Sequence, residues 1–555
     1  MRSVYNATDL PLLAEYDYII VGGGTAGCPL AATLSQNYSV LILERGGDPL
    51  AYPSVLRADQ FGAILEQQDD GKNPVQRFTS LDGIQNARGR ILGGSSMINA
   101  GFYSRAEKEF YPKSGINWDL GMVDKAYQWV EETIVYRSDL LPWQSVSKEV
   151  LLEAGVGPDN GFTLDHIVGT KVSGSTFDAL GRRHGAVELL NLADFGNLQV
   201  AALEIASLVR SFAPVYNMRQ IARIVTHAGE CKIPSANPLQ HDLKPPSCMR
   251  IKPLPATMRQ HILCCGLRDS NGRSHQAFVR RKGEVILSAG AIGSPHLLLL
   301  SGVGPLNELS PLHIPVLHQQ PHVGKFMADY PRNTISIVLP SSVNASYLQV
   351  VGITPDFYVE SVSSVTPFAS LSKPSSLLGN LSTPVNLSIA SLGYKVPGPA
   401  SYGFLSLASS ADVRVSPNVQ FNYFSDPMDR ARCVKGLRKA GDMLRTNTLA
   451  RFKFDKDLQG ENGFKFFGPV LPVDYLLNTS SLENFCRRTT TTWWHFHGGC
   501  LVGKVVDGDF RVTGINALRV VDSSIFNFSP GTNPQATLMM MGRYAGLKML
   551  QQRMD

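Results

Sequence analysis

The chain has no apolar run of about 18 residues, the length a membrane-crossing helix requires, so no such helix is expected. Met1 to Tyr16 lacks a basic stretch followed by an apolar one, so no secretory leader is read there. Its eight cysteines follow no zinc-ligand spacing; four of them (Cys231, Cys248, Cys264, Cys265) crowd into one stretch, and Cys28 and Cys500 read as small core residues. Charged residues are only 18% of the chain. Five of the six net positive charges lie between Pro214 and Cys265, where seven Lys/Arg stand against two acids. With no basic face interleaved with aromatics elsewhere, a nucleic-acid partner is not expected. No internal repeat is visible. What remains, 43% hydrophobic over 555 residues, is a globular composition too long for one small core.

The densest information lies near the start. Tyr18-Ile-Ile-Val-Gly-Gly-Gly-Thr-Ala-Gly27 runs from an apolar strand into a glycine-rich turn, and the apolar, helix-like Pro29 to Leu34 follows. Leu41-Ile-Leu-Glu44 then ends a second strand in an acid twenty residues after Gly24. This is a dinucleotide-binding fingerprint in its proper context: Gly22 for the tight turn, Gly24 for backbone approach to a pyrophosphate, Gly27 for close helix–strand packing. The helix N-terminus would face the phosphates, and Glu44 can accept hydrogen bonds from a ribose.

A second glycine region, Arg88-Gly-Arg-Ile-Leu-Gly-Gly-Ser-Ser-Met-Ile-Asn-Ala-Gly101, offers small residues and exposed amides suited to a flat or anionic ligand. Lys282 to Gly290 reads as a buried strand, leading into a helix from Ser294 with Pro295 in its first turn and Gly302 past its end. The middle, Val323 to Phe424, alternates apolar and polar residues like an antiparallel sheet. Arg519-Val-Val-Asp522 is a strand ending in an acid, and Ala536 to Leu550 has helical spacing.

Nucleotide-binding elements at both ends imply an α/β cofactor domain interrupted by an antiparallel, sheet-based substrate domain. The boundaries read as cofactor domain 1–110, 191–322 and 486–555, and substrate domain 111–190 and 323–485. The stretch 214–265 is atypical: seven prolines and no sustained period, as retained intron sequence would produce. Six Asn-X-Ser/Thr triplets (Asn6, Asn37, Asn344, Asn380, Asn386, Asn478) point to a secreted or vacuolar glycoprotein.

Together these motifs, with Trp494-His-Phe-His-Gly-Gly-Cys500 and Asn533-Pro-Gln535, resemble the glucose–methanol–choline (GMC) family of FAD oxidoreductases. Within it the likeness is to the plant (R)-mandelonitrile lyase-like and HOTHEAD-like branch, over nearly the whole chain except 214–265. The resemblance implies FAD, with Thr25 and Ala26 at the pyrophosphate and Glu44 and Arg45 at the adenosine end. Ile91, Ser95 and Asn99, Ala100, Gly101 and Phe102 would line the flavin side. Asp522, Ser523, Pro534 and Gln535 would close over the flavin ring and ribityl chain. His495 falls on the family's catalytic histidine, Trp494 beside the flavin, and Trp493 on the substrate side. Cys433 and Cys486 match a disulfide of the lyase-like members. Two departures stand out: Asn533 replaces the lyases' second active-site histidine, and Glu360 replaces a cysteine of their pocket.

An imidazole suits the base that removes a hydroxyl proton, because its ordinary pKa, about 6.5, lies near working pH. His497, two residues on, would share a strand face with His495 while Phe496 points away, and its reading is structural. Asn533 cannot exchange protons but can donate to an alkoxide or carbonyl oxygen. A monomeric oxidoreductase acting on a small alcohol is therefore expected, with cyanohydrin cleavage and non-catalytic flavin binding as the alternatives.

Overall fold

The structure is a computed structural model that describes residues 4–6, 13–202, 205–212, 262–268, 274–368, 385–410, 412–458 and 462–554. Of the atypical stretch, only its last residues are among these; the rest of it, with Cys231 and Cys248, lies outside the described residues, as does Asn380.

Two eight-stranded sheets organise the chain. In the first, Leu13–Val21 lies between Val40–Leu43 and Ser274–Leu287, parallel to both, and Leu518–Val520 runs parallel to the latter. The segments Tyr18 to Val21, Val40–Leu43 and Val285 to Leu287 are the apolar, buried parts of these strands. Helix Gly27–Leu34 is buried along its whole length and packs on helix Gln535–Met554. The crossing is close because Gly542 has no side chain; a Cβ there would stand 2.2 Å from the Ala26 carbonyl oxygen. Ile262–Arg268, at the end of the atypical stretch, is a strand paired antiparallel with both Ile205–Phe212 and Ser274–Leu287. Residues 262–265 therefore belong to the sheet, because their backbone groups complete its ladder.

The second sheet is mostly antiparallel. Pro331–Val338, Val385–Lys395, Tyr358–Phe368, Val350–Ile353 and Gly169–Val172 are successive neighbours. One face packs on helices Pro142–Glu153 and Pro427–Leu444 to form a second apolar core around Trp143, Leu392, Leu437 and Cys486. Cys433 and Cys486 form a disulfide across 53 residues, in that core. In the chain-entropy model a loop of that length is worth about 4 kcal/mol. Cys28 and Cys500 are buried free thiols. Among the described residues no helix is long and apolar enough to cross a membrane.

One helix differs from expectation. It begins at Gly290 rather than Ser294, which places Pro295 inside it. The earlier start is stabilised by the Asp522 carboxylate, which accepts from Gly290 N at 3.0 Å, and by Ser294 Oγ, which accepts from Ala289 N at 3.1 Å. Those contacts satisfy amide groups that a helix end otherwise leaves unpaired.

Candidate active site

The carboxyl ends of the parallel strands converge on one cavity of about 460 Å³. Val21 leads into Gly22 and Gly24, Leu43 into Glu44, Leu287 into Ser288 and Ala289, and Leu518–Val520 into Asp522; Gly22, Gly24, Glu44, Ser288, Ala289 and Asp522 line it. Crevices at such strand ends, where the strand order reverses direction, are where open α/β sheets take ligands.

The glycine turn is built by exclusion. Gly22 has φ +107°, and a Cβ there would lie 2.4 Å from the Ser288 carbonyl oxygen. A Cβ on Gly27 would lie 2.1 Å from the Gly22 oxygen, so Gly27 serves helix–strand packing and does not line the cavity. Gly24 is different: a Cβ there would meet nothing closer than 3.7 Å, and the space beside it is the cavity. The second glycine segment closes on the first, since a Cβ on Gly94 would come within 2.8 Å of Gly24 Cα. Two backbone segments thus form a cradle with no side chain to fill it, over the N-terminus of helix Gly27–Leu34.

Glu44 holds the edge of this cradle. Its carboxylate accepts from Gly23 N at 2.9 Å and Gly46 N at 2.8 Å, while burial pushes its pKa up. Each oxygen keeps a lone pair for a further donor. Beside it, Arg45 Nη1 and Arg88 Nε both donate to Gln76 Oε1, at 2.6 and 2.9 Å. Burial holds Arg45 down to about 10 and Arg88 well below the ordinary guanidinium range. Neither has a carboxylate hydrogen-bond partner among the described residues. The charges of Glu44 and Asp69 offset part of the cost of burying these cations, and the two guanidinium groups leave this end of the cavity suited to a nucleotide carrying negative charge. Arg88 sits inside the glycine stretch picked out from the sequence, and basic residues flanking a glycine loop were the signal for it.

At the far end, Asn99 Nδ2 donates to Gln535 Oε1 at 2.8 Å and Gln535 Nε2 to the Phe102 oxygen at 2.6 Å. The Arg183 guanidinium, fully buried, donates to Asn99 Oδ1 at 2.8 Å and to the Asn99 backbone oxygen at 2.5 Å. These bonds join Gln535 to the wall formed by Ser95, Asn99, Ala100, Gly101 and Phe102, and Asp522, Ser523 and Pro534 line the same cavity. Ile91 is not on that wall. It is buried in the main core, held by a backbone bridge to Gly47. An apolar side chain there satisfies packing rather than ligand contact.

Trp493, Trp494, His495, Asn533 and Glu360 complete the cavity. The histidine segment is not a continuous strand. Thr491–Thr492 pairs with Pro331–Arg332, and the chain then bends at Trp494, whose φ is +59°. Asp329 sets the bend: its Oδ1 accepts from His495 N at 2.8 Å, and its Oδ2 accepts from the hydroxyls of Thr492 and Tyr423, both at 2.6 Å. As a result Phe496 lines the cavity, whereas His497 is buried away from it with Nδ1 on the His495 oxygen at 3.1 Å. The period-two expectation fails there because a residue with positive φ breaks the strand alternation.

His495 packs at right angles to Tyr330, with ring centres 5.0 Å apart. Its Nδ1 is buried with no partner among the described residues, and the ring lines the cavity. Burial, then the positive charges of Lys395, His497 and Arg332, hold its pKa well below the ordinary imidazole range. The imidazole is therefore neutral at pH 7, the form that can accept a proton. Glu360 projects from strand Tyr358–Phe368 opposite Gly393, and Gly393 is glycine because a Cβ there would stand 2.6 Å from the Trp493 ring.

Comparison with known proteins gives the same picture from outside. Family models described as GMC oxidoreductase match residues 258–332 and 399–542. (R)-mandelonitrile lyase 1 of Prunus serotina is 50% identical over 100% of this chain and 90% of that protein. Sinalpyl alcohol oxidase Nec3 of Nesocodon mauritianus is 47% identical over 100% of this chain and 92% of its own. Among solved structures, formate oxidase of Aspergillus oryzae RIB40 superposes with a TM-score of 0.71 at 19% identity, covering 98% of this chain and 99% of that one.

Proposed function

Because the chain belongs to the GMC oxidoreductase family, in its plant mandelonitrile lyase-like and HOTHEAD-like branch, we propose that it is an FAD-dependent enzyme oxidising a small alcohol at its CH–OH carbon. Bound FAD supplies the hydride acceptor. The glycine cradle of Gly22, Gly24 and Gly94 receives the pyrophosphate and Glu44 the adenosine ribose. Asn99 to Phe102 and Asp522 to Gln535 hold the flavin half. His495 Nε2 takes the hydroxyl proton, and the Asn533 amide donates to the oxygen on which charge develops. Trp493 and Trp494 form a flat aromatic wall that excludes water and suits an arylmethanol or a long apolar alcohol.

One observation favours oxidation over cyanohydrin cleavage. The wall opposite the reacting oxygen carries a single proton-exchanging imidazole, an amide, and the Glu360 carboxylate. Hydride transfer needs one base and one donor, and both are present. The lyase reading is supported by the high identity to (R)-mandelonitrile lyase 1.

Anaerobic mixing with an arylmethanol separates them. The flavin absorbance should bleach with the alcohol, and mandelonitrile should be cleaved slowly or not at all. An unbleached flavin together with efficient, enantioselective mandelonitrile cleavage would make the chain a lyase. Exposed Asn37, Asn344, Asn386 and Asn478, with the Cys433–Cys486 disulfide, support passage through an oxidising secretory compartment.

A further inference from the structure

Behind the wall that carries Asn533 and Glu360 stands Lys395, whose side chain is fully buried. Its Nζ donates to Asn533 Oδ1 at 2.8 Å and to Glu360 Oε1 at 2.6 Å, and lies 4.0 Å from the centre of the Tyr358 ring. The sheet register explains the array. Lys395 is directly opposite Tyr358 on one side and Arg332 on the other, and Glu360 is two residues beyond Tyr358. Tyr358 and Glu360 thus share a face with Lys395, which makes Glu360 its diagonal neighbour. In sequence the signal is one cation in the otherwise uncharged run Ile389 to Val396.

A buried ammonium is a costly way to fill space, since apolar residues of similar volume usually serve stability as well or better. Its geometry gives it a different use. A side-chain amide can be turned over, exchanging its donor and acceptor ends at little steric cost. An ammonium has no acceptor, so only Oδ1 of Asn533 can meet it, and the Nδ2 hydrogens are left for the cavity. Glu360 balances the charge, so the amide is oriented without leaving an uncompensated cation beside His495.

We propose that Lys395 is a positioning residue for the oxidation: it fixes the Asn533 amide with its donor toward the substrate oxygen, and Glu360 neutralises it. The inference rests on the reading of Asn533 as the donor to that oxygen.

A double-mutant cycle on the flavin-bound protein tests it. Lys395→Met is combined with Glu360→Gln, so that no unpaired carboxylate is buried. This pair is compared in the native and Asn533→Ala backgrounds. Binding of benzaldehyde, followed by perturbation of the flavin spectrum, reports the donor independently of turnover; arylmethanol kinetics report the reaction. With Asn533 present, the pair should weaken benzaldehyde binding about 10-fold and lower kcat at least as much with KM nearly unchanged. With Asn533→Ala, the same pair should change binding by less than about 2-fold. Equal losses in both backgrounds, no loss in the native one, or no binding of benzaldehyde to native protein would overturn the inference. If no alcohol reduces the native flavin, the oxidase reading fails, and the benzaldehyde cycle still decides the role of Lys395. Retained flavin is the check on folding; should methionine cost the protein its flavin, Lys395→Gln with Glu360→Gln repeats the cycle.

Discussion

Gly24→Asp should give a folded protein that purifies without flavin. The turn itself tolerates a side chain at this position: a Cβ on Gly24 meets only ordinary contacts, at 3.7 Å from the Ser288 oxygen and 3.8 Å from Gly94 Cα. The backbone there does not adopt the positive φ of Gly22. The aspartate carboxylate would instead stand in the cradle where the pyrophosphate belongs. Two like charges about 4 Å apart repel by about 4 kcal/mol at an effective dielectric near 20, roughly a thousand-fold in affinity. Gly24→Ala, which adds bulk without charge, should retain most of the flavin. The measurement is flavin absorbance per protein, with circular dichroism to confirm folding. Stoichiometric flavin in the aspartate variant would show that the pyrophosphate does not lie against Gly24.

His495→Ala should bind flavin like the native protein and lose at least 10²-fold in the rate of flavin reduction by an alcohol, the usual scale for a general base. Flavin retention is expected because the cradle, Glu44 and the Asp522 wall do not depend on the imidazole. The pH profile carries the same base. In the native protein burial and the cations around it hold His495 well below its ordinary pKa, so it stays unprotonated as pH falls through 6.5. Activity should therefore not decline in that interval, and its acid limb should lie lower. Asp329, raised by burial to about 6, is the first group in contact with the segment to change charge on acidification, and it holds the bend through His495 N. Asp329→Asn should leave the flavin in place and lower the rate by misplacing the imidazole. An acid limb at or above 6.5 in the native protein, or undiminished reduction by His495→Ala, would remove the imidazole from the role of base.

The chemistry written in consecutive residues could be read directly. Gly22, Gly24, Gly27 and Glu44 belong to one strand–turn–helix–strand unit, and their roles were read from that local pattern. Asp522 and His495 were named by the family resemblance, and each is held by a residue far along the chain, Gly290 and Asp329. The Cys433–Cys486 pairing came from the family resemblance, because nothing local to either cysteine selects the other. Ile91 was placed on the ligand wall by the family resemblance, and the structure puts it in the core. Local patterning failed where it was extended too far. Phe496 was turned away from the cavity by a strand period that the bend at Trp494 interrupts.

The sequence by itself determined that a nucleotide cradle exists and where its turns fall, because those depend mainly on residues adjacent along the chain, whereas His495 was named by the family resemblance. Only the tertiary structure decided what stands behind them. Gln76 gathers Arg45 and Arg88, Arg183 braces Asn99, Asp329 bends the chain into His495, and Lys395 orients Asn533. The partners in the last two pairs are more than a hundred residues apart. Asp329 and His495 meet because Pro331–Arg332 pairs with Thr491–Thr492 beside them, and Lys395 stands in a strand where a shift of one residue would turn its side chain to the opposite face.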